Sequence, residues 1–115
     1  MLPFRCRLTL DQRVREYENV RTKKPDYIPV IVERAGRDSP ALDKEKFLVP
    51  NDLTASQFLY VLRRRLKMKS EQALFLLCNN RAVTGNTTLR HTRDTSIPSE
   101  DGFLYITYSL ENAFG

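Results

Sequence analysis

A chain of 115 residues, 41% hydrophobic and 29% charged, is long enough for one domain with its own core and has the make-up of a soluble globular protein. No apolar run approaches the roughly 18 residues of a membrane span, and the arginines of "MLPFRCRLTL" interrupt any signal-like core, so a cytosolic or nuclear protein is expected. The net charge of +5 is uneven: Arg5, Arg7, Arg13, Arg15, Arg21, Lys23 and Lys24 face only Asp11, Glu16 and Glu18 in the first 24 positions, and a second basic cluster runs from Arg63 to Lys69. Such a surface suits phosphate, an anionic membrane or acidic protein segments, and equally a plain solvated face.

Along the chain, residues 15–24 carry Tyr17 and Val20, at helical spacing with Val14 just before them, and read as a short helix stopped before Pro25, because the residue preceding a proline leaves the helical region. "YIPVIVER" is a β-branched run and reads as a strand, with Pro29 near its start, where a missing amide donor is tolerated. "AGRDSPALD" reads as a loop. "KEKFLVP" reads as a second strand stopped by Pro50, and Asn51–Asp52 as a turn. Residues 54–67 form the clearest element: Thr54 and Gln57 have capping-box spacing, and an apolar stripe follows in helical rhythm. Leu59, Leu62 and Leu66 suffice for one core face, which leaves Phe58 and Val61 beside Arg65 for either a wide buried stripe or the lining of a groove. "ALFLLCN" reads as a third strand, apolar on both faces and so central. Asn79–Asn80 starts a turn, residues 81–101 read as irregular with a short helix near 88–93, and "FLYITYS" alternates as the fourth strand. Paired strands around one main helix imply an α+β sheet with the helix on one face.

Catalytic patterns are missing from this sequence. Cys6 and Cys78 form neither a metal pattern nor a disulfide framework, and Cys78 at the end of an apolar run reads as a buried thiol. His91 is the single histidine, in a polar stretch. Four scattered glycines make no phosphate-cradling loop, and dispersed acids support no metal site or carboxylate pair. No RNA-binding or zinc-finger pattern accompanies the basic patches, so nucleic acid is not the expected partner. The residues point to a binding or carrier domain, not an enzyme, without metal or cofactor.

"KKPDYIPVIVER", "LDKEKFLVPNDLTASQFLYVLRRRL", "ALFLLCNN" and "FLYITYSLENAFG" occur in one order, and together the chain resembles the autophagy ubiquitin-like modifier family (GABARAP-like), closely over 20–115 and loosely over 1–19. The resemblance implies a ubiquitin-like β-grasp, a four-stranded mixed sheet with the main helix on one face, over residues 25–110. It implies an N-terminal helical extension over 1–24 and a flexible tail over 111–115. It further implies conjugation of the C-terminal glycine, Gly115, to phosphatidylethanolamine by E1-like and E2-like enzymes, with Phe114 recognised by a processing and deconjugating cysteine protease. A glycine end suits acyl transfer, since no Cβ hinders attack. Whether Gly115 is the natural end or a processed one stays open. The protein is then expected in the cytoplasm, moving to the autophagosomal membrane once lipidated.

The resemblance also implies capture of cargo receptors through aromatic-x-x-aliphatic peptides added to the sheet edge. Carried over by position, pocket 1 comprises Glu16, Val20, Pro29, Ile31, Lys46, Leu48 and Phe103. Pocket 2 comprises Phe47, Val49, Pro50, Leu53, Phe58 and Val61, and Lys44 and Arg65, with Lys46, attract the peptide's acids. Lys24 and Tyr27 stand where GABARAP has tyrosine and arginine. The alternatives are a non-covalent peptide-binding adaptor of the same fold and a basic microtubule-binding module.

Overall fold

The structure is a computed structural model that describes residues 2–36 and 39–110. A one-turn helix, α1 (Phe4–Arg7), opens it, and the three helices that follow each begin at a threonine. Thr9 Oγ1 accepts the Gln12 amide at 3.2 Å while the Gln12 side chain accepts the Thr9 amide at 2.8 Å. This reciprocal box satisfies two otherwise unpaired donors and starts α2 (Leu10–Lys23). The helix expected over 15–24 thus begins earlier, at Leu10. Thr54 and Gln57 repeat the box at 3.2 and 2.9 Å and start α3 (Ala55–Arg65). That helix stops at Arg65 rather than 67: Lys67 turns left-handed at φ 54° and the Met68 amide reaches back to the Arg63 carbonyl at 3.1 Å. Thr88 accepts the His91 amide at 3.1 Å and starts α4 (Leu89–Thr95), the short helix expected there.

Five strands form one sheet: β1 (Tyr27–Arg34), β2 (Lys46–Pro50), β3 (Phe75–Cys78), β4 (Arg81–Ala82) and β5 (Leu104–Ser109). Their order is β2-β1-β5-β3-β4, with β1 parallel to β5 and the other neighbours antiparallel. One strand is additional to the four expected. Asn79 and Asn80 both take positive φ, 51° and 64°, which gives a two-residue mirror-image turn that folds Arg81–Ala82 back on Cys78 and Leu77. The run read as central, β3, lies between β5 and this short β4, and the middle position belongs to β5. Pro29 pairs with Leu48 of β2, and the parallel ladder to β5 begins only at Val30, so the missing amide falls outside that ladder.

The five consecutive buried residues Ile28–Val32 explain why β1 does not alternate in sequence: both its faces are covered. On the α3 face, Ile28, Val30 and Val32 join Phe47, Val49, Phe58, Leu62, Leu104, Ile106 and Tyr108 in the main core. On the other face, Ile31 and Phe103 join Phe4, with Tyr17 and Tyr105 packed against them. The α+β layering expected from the sequence is therefore present, with a second small core under the N-terminal helices. Arg37 and Asp38 of the expected 35–43 loop, and the expected 111–115 tail with Phe114 and Gly115, lie outside the described residues.

Candidate functional site

Strand β2 is the outer strand beside β1, and its residues alternate: Phe47 and Val49 are buried, whereas Lys46, Leu48 and Pro50 are exposed. An outer strand keeps one row of backbone donors and acceptors free of sheet partners, which is the template that β-addition uses. Its flanks are α2 and α3. Leu48, 41% exposed, is an apolar side chain on this edge, and Val61 of α3 is 39% exposed.

The residues expected at pocket 1 come from α2 (Glu16, Val20), β1 (Pro29, Ile31), β2 (Lys46, Leu48) and the approach to β5 (Phe103). Lys46 Nζ donates to Glu16 Oε1 at 3.0 Å, which links β2 to α2 across this flank. The second carboxylate oxygen, Glu16 Oε2, is enclosed and has no hydrogen-bond partner among the described residues. Ile31 is fully enclosed and Phe103 is 2% exposed. Two rings meet Phe103 edge-on: Phe4 at 5.4 Å and Tyr17 at 5.6 Å between centroids.

The residues expected at pocket 2 are less open than the sequence suggests. Phe58 is wholly enclosed, and its ring meets that of Phe47 edge-on at 5.7 Å. The buried stripe of α3 is Ala55, Phe58 and Leu62, with Leu59 and Leu66 only partly covered, so Phe58 belongs to the core face and Val61 alone remains of the leftover pair. Val49 is buried, Leu53 is half-buried and Pro50 is exposed. Two cations lie over Phe47: Lys44 Nζ at 4.9 Å and the Arg65 guanidinium at 5.8 Å from the ring centroid. Arg65 is held by a two-pronged contact with Asp43, both distances 3.2 Å. Of the three expected basic residues, Arg65 and Lys46 thus have carboxylate partners, Asp43 and Glu16, and Lys44 lies over the Phe47 ring.

What fixes α2 against the sheet is a buried polar cluster that the sequence did not disclose. Arg13 donates to Asp101 Oδ2 at 2.7 Å, and the Tyr105 hydroxyl donates to the same oxygen. Asp101 Oδ1 accepts the Phe103 amide at 2.9 Å and the Ser99 hydroxyl at 3.0 Å. Asp101 is 2% exposed. Burial opposes its charge, but donation from Tyr105, Arg13, the Phe103 amide and Ser99 prevails and holds the carboxyl below its ordinary value. Tyr105 is pushed far above the ordinary tyrosine value, by burial and by its bond to the Asp101 charge. Next to it, Gly102 has φ 96°, and a Cβ there would meet the Tyr17 ring at 2.5 Å. A glycine is required here twice over, for backbone angle and for space. The capping pair Thr9–Gln12 was the sequence signal available for this region, since it marks where α2 begins. Asp101 and Arg13 carry no spacing that connects them, being 88 positions apart.

Among the described residues, no group of three or more His, Cys, Asp or Glu side chains is placed to hold a metal ion. Cys78 is buried, its Sγ donates to Asn79 Oδ1 at 3.7 Å, and burial pushes its thiol up, the opposite of an activated nucleophile. A cavity of about 390 Å³ between the β3–β4 hairpin and α4 is walled by Cys78, Arg81, Val83, His91 and several threonines. It adjoins neither pocket of the β2 edge.

Residues 12–115 match the family model described as autophagy protein Atg8, ubiquitin like. Autophagy-related protein 8c of Arabidopsis thaliana is 47% identical over 113 residues, 97% of this chain and 94% of that one. Autophagy-related protein 8 of Mycosarcoma maydis is 43% identical over 113 residues, 97% and 95% of the two chains. The crystal structure of Trypanosoma brucei ATG8 superposes with a TM-score of 0.86 at 35% identity, covering 95% of this chain and 94% of that one. The fold is thus ubiquitin-like, with a mixed five-stranded sheet and an N-terminal helical extension.

Proposed function

Because the chain belongs to the Atg8 family of ubiquitin-like autophagy proteins, we propose that it is a modifier with two working parts, a C-terminal glycine that is joined to phosphatidylethanolamine and a β2 edge that captures partner peptides. The observation that carries the second part is the alternation of β2 at the sheet margin, buried Phe47 and Val49 against exposed Lys46, Leu48 and Pro50. A peptide strand laid along this margin gains backbone hydrogen bonds, and its aromatic and aliphatic residues take the α2 and α3 flanks as pockets 1 and 2. Lys44, Lys46 and Arg65 favour acids in the peptide, in a contact that weakens with salt.

The first part rests on the sequence and the family. An E1-like enzyme activates the Gly115 carboxyl, an E2-like cysteine carries it as a thioester, and the lipid amine displaces the thiol to form an amide. Phe114 is the residue a processing cysteine protease recognises before this glycine. No helix among the described residues is long and apolar enough to cross a membrane, so attachment would come from the lipid, whose buried methylenes contribute about 0.8 kcal/mol each. The protein then divides between the cytoplasm and the autophagosomal membrane, and brings cargo receptors to the latter.

Two measurements test the parts separately. With purified activating and conjugating enzymes and phosphatidylethanolamine vesicles, mass spectrometry is expected to find a lipid amide on Gly115 and none on Gly115→Ala. An unaltered chain that acquires no lipid is instead a non-covalent adaptor. Titration of an acidic peptide carrying Trp-x-x-Leu is expected to show saturable binding that weakens with salt, and its absence refutes the groove.

A further inference from the structure

Helix α1 is fastened to the sheet through side chains. Its backbone hydrogen bonds stay within its own turn: the Cys6 and Arg7 amides go to the Pro3 carbonyl, and the Leu8 amide to that of Phe4. Phe4, 3% exposed, packs on Ile31 and Phe103. Arg5 donates to Glu33 at 2.9 Å, with its guanidinium 4.3 Å above the centre of the Tyr105 ring. Arg7 pairs with Glu45, the residue just before β2.

Ile31 and Phe103 are also the deep residues of pocket 1. Phe4 therefore packs against two residues assigned to pocket 1, and the Glu16–Lys46 pair lies between α2 and β2. We propose that α1 is an internal strap: Phe4 competes with the aromatic residue of a partner peptide, and the strap lifts before pocket 1 receives its ligand. This rests on the peptide-groove reading above.

The fastenings suit a device that opens. Arg5 and Arg7 are partly exposed, and ion pairs of that kind contribute little and weaken with salt. Among the described residues, α1 shares no backbone hydrogen bond with the sheet, so lifting it breaks no rung of the ladder. The open fraction then scales the apparent affinity: a strap shut about nine-tenths of the time weakens peptide binding about tenfold.

The test uses the full chain and an acidic peptide carrying Trp-x-x-Leu. A fluorophore is placed on Cys6, which is exposed whereas Cys78 is buried. Peptide addition is expected to free the Cys6 probe, read as a fall in fluorescence anisotropy. Phe4→Ala and the double variant Arg5→Ala/Arg7→Ala are each expected to bind the peptide roughly threefold to tenfold more tightly, as removal of a competing closed state requires. If Phe4→Ala does not fold, the arginine double variant, which keeps the Phe4 ring, decides alone. Unchanged or weaker binding by the folded variants, with an unmoved probe, overturns the strap and leaves the groove standing. Failure of the peptide to bind the unaltered chain and every folded variant overturns the groove, and the strap with it.

Discussion

Adjacent residues of β2 are expected to answer truncation in opposite ways. Leu48→Ala removes a side chain that is already 41% exposed. Full burial of a leucine is worth about 1.5–3 kcal/mol, so trimming a partly buried one costs about 1 kcal/mol of fold stability. Phe47→Ala removes a ring that is 6% exposed and set edge-on against Phe58. A cavity of that size costs about 3–5 kcal/mol, much of the 5–15 kcal/mol that holds a typical domain together. Urea unfolding followed by circular dichroism is expected to leave the Leu48→Ala midpoint near that of the unaltered chain and to lower that of Phe47→Ala sharply. Peptide binding is expected to invert the order of usefulness: Leu48→Ala loses about tenfold in affinity, equivalent to about 1.4 kcal/mol, with the fold intact. The chain has no tryptophan, so the emission of a Trp-x-x-Leu peptide reports binding without background. Equal affinity of Leu48→Ala and the unaltered chain would refute the placement of the ligand on this edge.

Gly102→Ala is expected to cost about 1–3 kcal/mol from the left-handed backbone alone, and more from displacement of the Tyr17 ring; thermal unfolding measures it, and an unchanged midpoint contradicts the close approach. Thr9→Ala, which removes the α2 cap, is expected to cost about 0.5–2 kcal/mol, read from the urea midpoint. The pH dependence has two edges. The Asp101 value is lowered on folding, so its contribution is whole above the ordinary carboxylate value of about 4 and is lost as pH falls through the lower folded value. The Tyr105 value is raised on folding, so its contribution is whole below about 10 and is lost as pH rises above that. Stability of the unaltered chain is expected to be flat from the acid edge up to about 9, where the contribution of the raised Cys78 thiol begins to be lost, and Asp101→Asn, measured by denaturant titration across pH, is expected to lose the acid edge.

Elements whose sequence period matches one covered face were legible before the structure. The Thr54–Gln57 box and the stripe after it gave α3, and the alternation at 103–109 gave β5. The same box at Thr9 and Gln12 marks the start of α2, but charged residues dilute the stripe after it, so only 15–24 stood out. β4 has two residues, too few to show a period, and its presence follows from the positive φ of Asn79 and Asn80. β2 was legible as a strand stopped by Pro50, whereas Phe47, Leu48 and Val49 are all apolar, so its alternating burial and its place at the sheet margin appear only in the fold. Which of the two readings of Phe58 holds was not legible, because leucines at 59, 62 and 66 also complete a stripe, and only the packing of α3 on the sheet turns Ala55, Phe58 and Leu62 inward. The α2 clamp was illegible because Arg13 and Asp101 meet only through the finished fold.

The parallel pairing of β1 with β5 joins the first strand among the described residues to the last. The middle of the sheet is thus filled by the final described segment, and strand β2 has only β1 to hold it until then. During synthesis, the N-terminal strands wait for residues 104–109 to leave the ribosome before the sheet closes, and pairing over so long a separation is slow. Quality control follows from the same arrangement: a product cut short before β5 lacks its central strand and exposes Val30, Val32 and their core neighbours. Only a chain made through Ser109 can close this sheet.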